Sequence, residues 1–259
     1  MIYKPVGQCI YCGDTHGLQK EHILPFGLSG TAILPEASCA KCARITGHHE
    51  QMLLRGPMWA VRVYRTLNSR TKHRDAPRAY PLTLLREGEE KVVKLPVEEY
   101  PILLHFPVFT PPAILDPSGY TSGIRVSGTA TLSFGPHPAA VAKRYGATSI
   151  KLTQSWEPVA FAQVIAKVAL AYAVAEGARR WIEGAPWPVP AILGKADDIG
   201  RWVGTLTEPF RKFDGVLHRL AVHKDTEKGL VIVEVQLFSD SQAPSYGVIL
   251  GRLIETPEP

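Results

Sequence analysis

The chain has 259 residues, 45% of them hydrophobic and 20% charged, with a formal net charge of +5. These are the proportions of a globular protein able to bury a sizeable core, and they exclude collagen, wholesale disorder and an acidic solvating tail. Twenty-two prolines call for loops and extended segments rather than a plain helical bundle. No apolar h-region follows Met1, so the expected compartment is the cytoplasm, where paired cysteines more often hold a metal than form a bridge.

The four cysteines form two C-x2-C pairs, Cys9-Ile-Tyr-Cys12 and Cys39-Ala-Lys-Cys42. Each pair can present two thiolates to one tetrahedral ion, which predicts a structural zinc closed by four protein ligands. Four unrelated buried cysteines or a redox pair are the alternatives. Gly13, after the first knuckle, suits a turn of positive φ. Between the knuckles lies Glu21-His22-Ile23-Leu24-Pro25, followed by Gly27 and Gly30. A helix is expected from about Ala43, carrying His48, His49 and Glu50.

From Ala40 to Tyr80 nine Lys or Arg face only Glu50 and Asp75, more positive charge than the whole chain nets. On one helix Arg55, Arg62 and Arg65 would share a stripe, and Arg70, Lys72, His73 and Arg74 would extend it. Neutralising phosphates in this way gives affinity without sequence reading. Asp75–Pro81 reads as the exit from this basic module.

Beyond it the pattern turns to strands at Leu82–Leu85, Lys91–Leu95, Ile102–Phe106 and Ile124–Phe134. Ser155-Trp-Glu-Pro158 is a helix start, with a capping Ser and an early Pro. The helix should run to about Glu176 and end at Gly177. Gln163 and Lys167 interrupt its apolar run, which argues for a buried helix and against a membrane span. Pro186–Pro190 reads as a loop. Val216–Ala221 and Leu230–Phe238 read as a hairpin turning at Asp225–Gly229, with a third strand at Tyr246–Leu253. Trp156, Trp181, Trp187 and Trp202 are expected in the core, and His105, His137, His218 and His223 in structural or surface roles. The fold class is α+β: a small zinc-stapled domain over residues 1–78, then an α+β domain over residues 79–259 with antiparallel strands and a buried helix.

An acidic residue beside His, two apolar residues and Pro, a Gly-bearing turn and two flanking knuckles together resemble the HNH (ββα-metal) endonucleases. The tail Ala37-Ser-Cys-Ala-Lys-Cys-Ala-Arg-Ile-Thr46, with Glu50 and Leu53-Leu54-Arg55 beyond it, is similar to the branch with two CxxC pairs and a Glu on the closing helix. The resemblance covers roughly residues 7–75. It implies metal-dependent hydrolysis of phosphodiesters in DNA, or in RNA. His22 would activate water, and Glu21 would hold Mg²⁺ or another divalent ion. Two family asparagines are replaced, by Leu34 and Ala43. Glu50, two turns beyond Ala43 on the same helix face, is the first substitute for the missing ligand, with His49 second and His48 third. Neighbouring side chains on a strand point to opposite faces, so Glu21 and His22 need a bend to serve one substrate. The rival reading is a zinc-knuckle nucleic-acid-binding or adaptor protein with a decayed nuclease site. A sensing role for residues 82–259 has no motif for or against it.

Overall fold

A computed structural model describes residues 1–72, 77–116, 122–152, 156–206 and 210–254. Strand β1 (Leu18–His22) pairs antiparallel with β2 (Ile33–Cys39), and β2 runs directly into helix α1 (Ala40–Arg55), so the N-terminal order is ββα. A short 3-10 turn, Phe26–Leu28, joins the strands. At Gly30 a Cβ would lie 2.0 Å from the Leu24 carbonyl oxygen, so only glycine closes this turn without displacing backbone.

Helix α1 stops at Gly56-Pro57, since proline disfavours helical backbone before it and brings no N–H to the ladder. A shorter helix, α2 (Trp59–Tyr64), follows. That break corrects the single-helix stripe. Arg55 ends α1, whereas Arg62 lies on α2 and Arg65 at its C-terminal cap.

Strands β3 (Tyr80–Arg86) and β4 (Glu89–Leu95) form a hairpin, and β5 (Ile102–Phe109) pairs with β6 (Val126–Phe134). Helix α3 (Pro138–Arg144) leads to β7 (Ser149–Lys151), which returns to β3. Helix α4 (Pro158–Ala175) has Pro158 in its first turn and ends at Gly177, which is left-handed at φ 69°. The expected cap Ser155 lies outside the described residues. The expected loop at 186–190 is corrected: helix α5 (Val189–Ile192) begins inside it, because proline is tolerated in a first helical turn. Strands β8 (Val203–Thr205), β9 (His218–Asp225), β10 (Leu230–Leu237) and β11 (Ser245–Arg252) form an antiparallel sheet in the order β8-β11-β10-β9. The fold is α+β, and all the named strand pairs are antiparallel.

By length and composition α4 could cross a membrane. Here it is the central core helix, packed against α1, β10 and β11. One buried cluster includes Cys9, Tyr11, Leu28 and Met58 from before residue 78, and Phe106, Ile165, Val233 and Tyr246 from after it. The core therefore runs through the expected domain boundary. The four tryptophans expected in the core are only half-buried; Trp187 and Trp202 meet at 5.5 Å between ring centroids. Large indoles commonly keep one edge in water, and Val, Ile, Leu, Ala and Phe fill the centre instead.

Two polar contacts also tie the halves together. Arg65 holds Asp240 through Nη1 at 3.1 Å and Nη2 at 2.6 Å. His218 Nδ1 accepts the Phe238 N–H at 3.1 Å, so its proton sits on Nε2, which donates to the Leu28 carbonyl at 2.8 Å. Burial is the main cause that lowers the His218 pKa to about 4. Protonation would break the Phe238 bond and charge a buried ring. With the folded pKa below the unfolded value of 6.5, this stability is full above pH 6.5 and is lost as pH falls toward 4. Linkage gives a loss of about 2 kcal/mol between pH 7 and pH 5. Urea unfolding of wild type and His218→Gln at both pH values measures it, and the variant should lose that much less. Equal losses in both would contradict the assignment.

Candidate metal centre and cleft

The first knuckle is a tight turn in which the Gly13 N–H donates to the Cys9 carbonyl at 2.9 Å. Gly13 is left-handed there, at φ 76°, as a glycine turn allows. Cys39 ends β2 and Cys42 lies in the first turn of α1. The four Sγ atoms lie within 4.8 Å of one another, and Cys12 Sγ and Cys39 Sγ are 3.7 Å apart. Tetrahedral zinc with bonds of ~2.3 Å sets its sulfurs about 3.8 Å apart. The four-cysteine cluster can therefore hold a zinc ion, and all four ligands expected from the sequence meet. Cys9, Cys39 and Cys42 are buried and Cys12 is exposed. The Cys42 backbone N–H is the main cause that brings the Cys39 thiol down to about 7, which favours the thiolate a metal needs.

Beside the cluster lies a cleft of about 440 Å³, lined by β1, the 3-10 turn, α1, α2 and residues 68–71. Glu21, His22 and Glu50 all line it. An irregularity lies opposite, on β2: from Gln19 to Glu21 is two residues, while their partners Ser38 and Leu34 are four apart. The extra residues include Glu36, which is left-handed at φ 50°. Such an irregularity bends the strand and re-aims side chains. Ala43 and Glu50 both reach the cleft, as their two-turn register predicts. His49 does not line it; its ring meets the Ile192 backbone of α5, and burial lowers its pKa. His48 is exposed. Of the three candidates for the missing ligand, the helix brings Glu50 to Glu21.

What lies between those carboxylates was not expected. Lys167 of α4, with a side chain 1% exposed, places Nζ 2.7 Å from Glu21 Oε1 and 2.9 Å from Glu50 Oε1. The same ammonium donates to the His22 carbonyl. Burial works against its charge, but the two carboxylates outweigh burial and hold it above the usual lysine value. A divalent ion bridging these oxygens would need to sit ~2.0–2.6 Å from each, on the ammonium itself. The carboxylate pair as arranged does not fit a bridging divalent ion. Among the described residues the only metal-capable group of His, Cys, Asp or Glu is the cysteine cluster. Position 167 did carry a signal in the sequence, since a lysine inside an apolar helix needs buried anionic partners.

His22 is half-buried, 5.8 Å from the Phe26 ring. Burial first, then Lys167 and Lys20, lowers its pKa, so the imidazole is neutral at pH 7. Tyr11, inside the first knuckle, is buried; burial, Glu21 and Glu50 hold its phenol well above the usual value, so it stays protonated.

The basic residues divide by role. Arg55 and Arg70 are exposed on the cleft, with Lys20 beside them. Arg62 lines the cleft but braces it: Nε donates to Gly27 O at 2.7 Å and Nη1 to Leu54 O at 2.9 Å. A Cβ on Gly27 would lie 2.9 Å from that guanidinium. Arg65 is committed to Asp240 and does not line the cleft. Lys72 is exposed away from it, and His73 and Arg74 lie outside the described residues.

Comparison with protein-family models, with curated proteins and with solved structures finds no match for this chain.

Proposed function

We propose that the cleft is the hydrolytic site of an HNH-type endonuclease acting on phosphodiesters of DNA. The observation that carries this reading is the convergence of Glu21, His22 and Glu50 in one cleft rimmed by arginine. Neutral His22 takes a proton from water as the water oxygen bonds to phosphorus. The opposite P–O ester bond breaks, and its oxygen leaves with the electron pair and takes a proton from solvent. Arg55 and Arg70 hold the flanking phosphates, and the zinc holds the knuckles without taking part. The resemblance gives the offsetting cation as Mg²⁺ or another divalent ion on Glu21 and Glu50. The ammonium holds those oxygens, so the charge on the phosphate is left to Arg55 and Arg70.

That same ammonium favours a second reading, a zinc-knuckle module that binds nucleic acid without cutting it. Supercoiled plasmid incubated with zinc-loaded protein separates the two. The nuclease converts it to nicked or linear forms; a protein that only retards it, with or without magnesium, manganese or nickel, is the binding module.

Both readings place phosphates at Arg55 and Arg70. Replacing both by Ala should flatten the slope of log K against log salt by about 1.8, at ~0.9 per phosphate contact. The double variant Arg62→Ala/Arg65→Ala should instead cost stability, because those guanidinium groups serve the fold. Fluorescence anisotropy across a salt series measures the slopes. An unchanged slope in the Arg55/Arg70 variant would remove phosphates from this rim.

A further inference from the structure

We propose that the Lys167 ammonium is the resident cation of this cleft, holding the place that a divalent ion would take between Glu21 and Glu50. The role of that cation in hydrolysis rests on the nuclease reading above; its position does not. An ammonium has three N–H donors, and its three nearest acceptors are Glu21, Glu50 and the His22 carbonyl, with the Ile23 carbonyl farther off at 3.4 Å. A second cation bridging the same two Oε1 atoms would sit against the ammonium and be repelled by its charge. Nor can the ammonium easily leave. The neighbouring α4 residues Val164, Val168 and Ala171 are themselves buried, and an ammonium moved among them would lose every partner.

The arrangement makes the cleft a joint product of three distant segments. β1 supplies one carboxylate and the imidazole, α1 supplies the other carboxylate, and α4 supplies the charge that lets the carboxylates approach. Because the same Nζ holds the backbone carbonyl of His22, it also fixes the base relative to the pair. Lys167 is buried and does not reach substrate. It is a positioning residue that acts through Glu21, Glu50 and His22, and it supplies its charge without any metal being taken up.

Manganese binding tests this without reading cleavage at all. Zinc-loaded full-length protein is titrated with Mn²⁺, and the free ion is followed by electron paramagnetic resonance. Wild type should take up no stoichiometric Mn²⁺ at the cleft. Lys167→Met, which leaves two facing carboxylates without their cation, should take up about one Mn²⁺ per chain and melt at a higher temperature with the ion than without it. Adding Glu50→Gln to that variant should abolish the uptake. Wild type binding one Mn²⁺ that Glu50→Gln releases would overturn the inference, and that comparison needs no lysine variant to fold. A folded Lys167→Met that binds no Mn²⁺ would overturn it too. Absence of plasmid cleavage, by contrast, would defeat the nuclease reading and leave this result standing.

Discussion

Stripping the zinc should unfold the N-terminal part of the chain and carry the core with it. A zinc held by the four cysteines would join the 9–12 turn to the junction of β2 and α1, and Cys9, Cys39 and Cys42 belong to the same buried cluster as Phe106 and Val233. Binding free energy at sites of this type is folding free energy, with apparent values of ~10–16 kcal/mol in small peptides. That is comparable to the whole stability of an ordinary domain, ~5–15 kcal/mol. Purified protein should therefore carry about one zinc per chain, and Cys42→Ser should carry almost none. Because the cluster crosses residue 78, loss of structure should reach the sheet formed by β8 to β11. Elemental analysis with circular dichroism measures both effects. A zinc-free sample with the same unfolding midpoint as the loaded one would contradict this account.

The second large effect is expected at Lys167. Removing one member of a buried charge group leaves the others uncompensated, at a cost of about 3–5 kcal/mol. Lys167→Met leaves Glu21 and Glu50, with side chains 8% and 20% exposed, facing each other without a cation, and it releases the His22 carbonyl. Replacing all three together, Lys167→Met with Glu21→Gln and Glu50→Gln, should recover much of the loss, because groups in one network are not additive. Guanidinium unfolding without added divalent ion gives the comparison. A Lys167→Met cost below about 1 kcal/mol, or a triple variant no better than the single one, would show that the charges are not coupled as the distances imply.

Much of this site could be read from local spacing. Two C-x2-C pairs specify a four-sulfur cluster because each knuckle fixes its own pair and only their meeting is a tertiary event. The meeting of Glu50 with Glu21 followed from helix register, since position 50 repeats position 43 after two turns while position 49 turns aside, toward Ile192. Register arguments failed where the helix itself failed. Gly56-Pro57 divides α1 from α2, and the arginines beyond it turn to Gly27, Leu54 and Asp240. Lys167 was out of reach of any such reading. Its partners lie well over a hundred residues away, and an apolar helix with one lysine states that a counter-charge exists without saying where. The hairpin of β9 and β10, with β11 beside it, was legible because alternation and a Gly-bearing turn define a hairpin locally, whereas the three-residue β8 carried no such pattern. The packing of this sheet on the N-terminal ββα unit, through α4, was not legible.

If His22 activates water in this cleft, wild type and His22→Ala must differ in the rate at which they cut DNA. Both proteins, zinc-loaded and matched in plasmid affinity by a retardation assay, are given the same supercoiled DNA. A positioned general base contributes about 10²- to 10⁴-fold, so the account predicts cleavage by wild type and at least a hundredfold slower conversion by the variant, with binding unchanged. Equal cleavage by the two proteins, or none by wild type under any ionic condition, would contradict it.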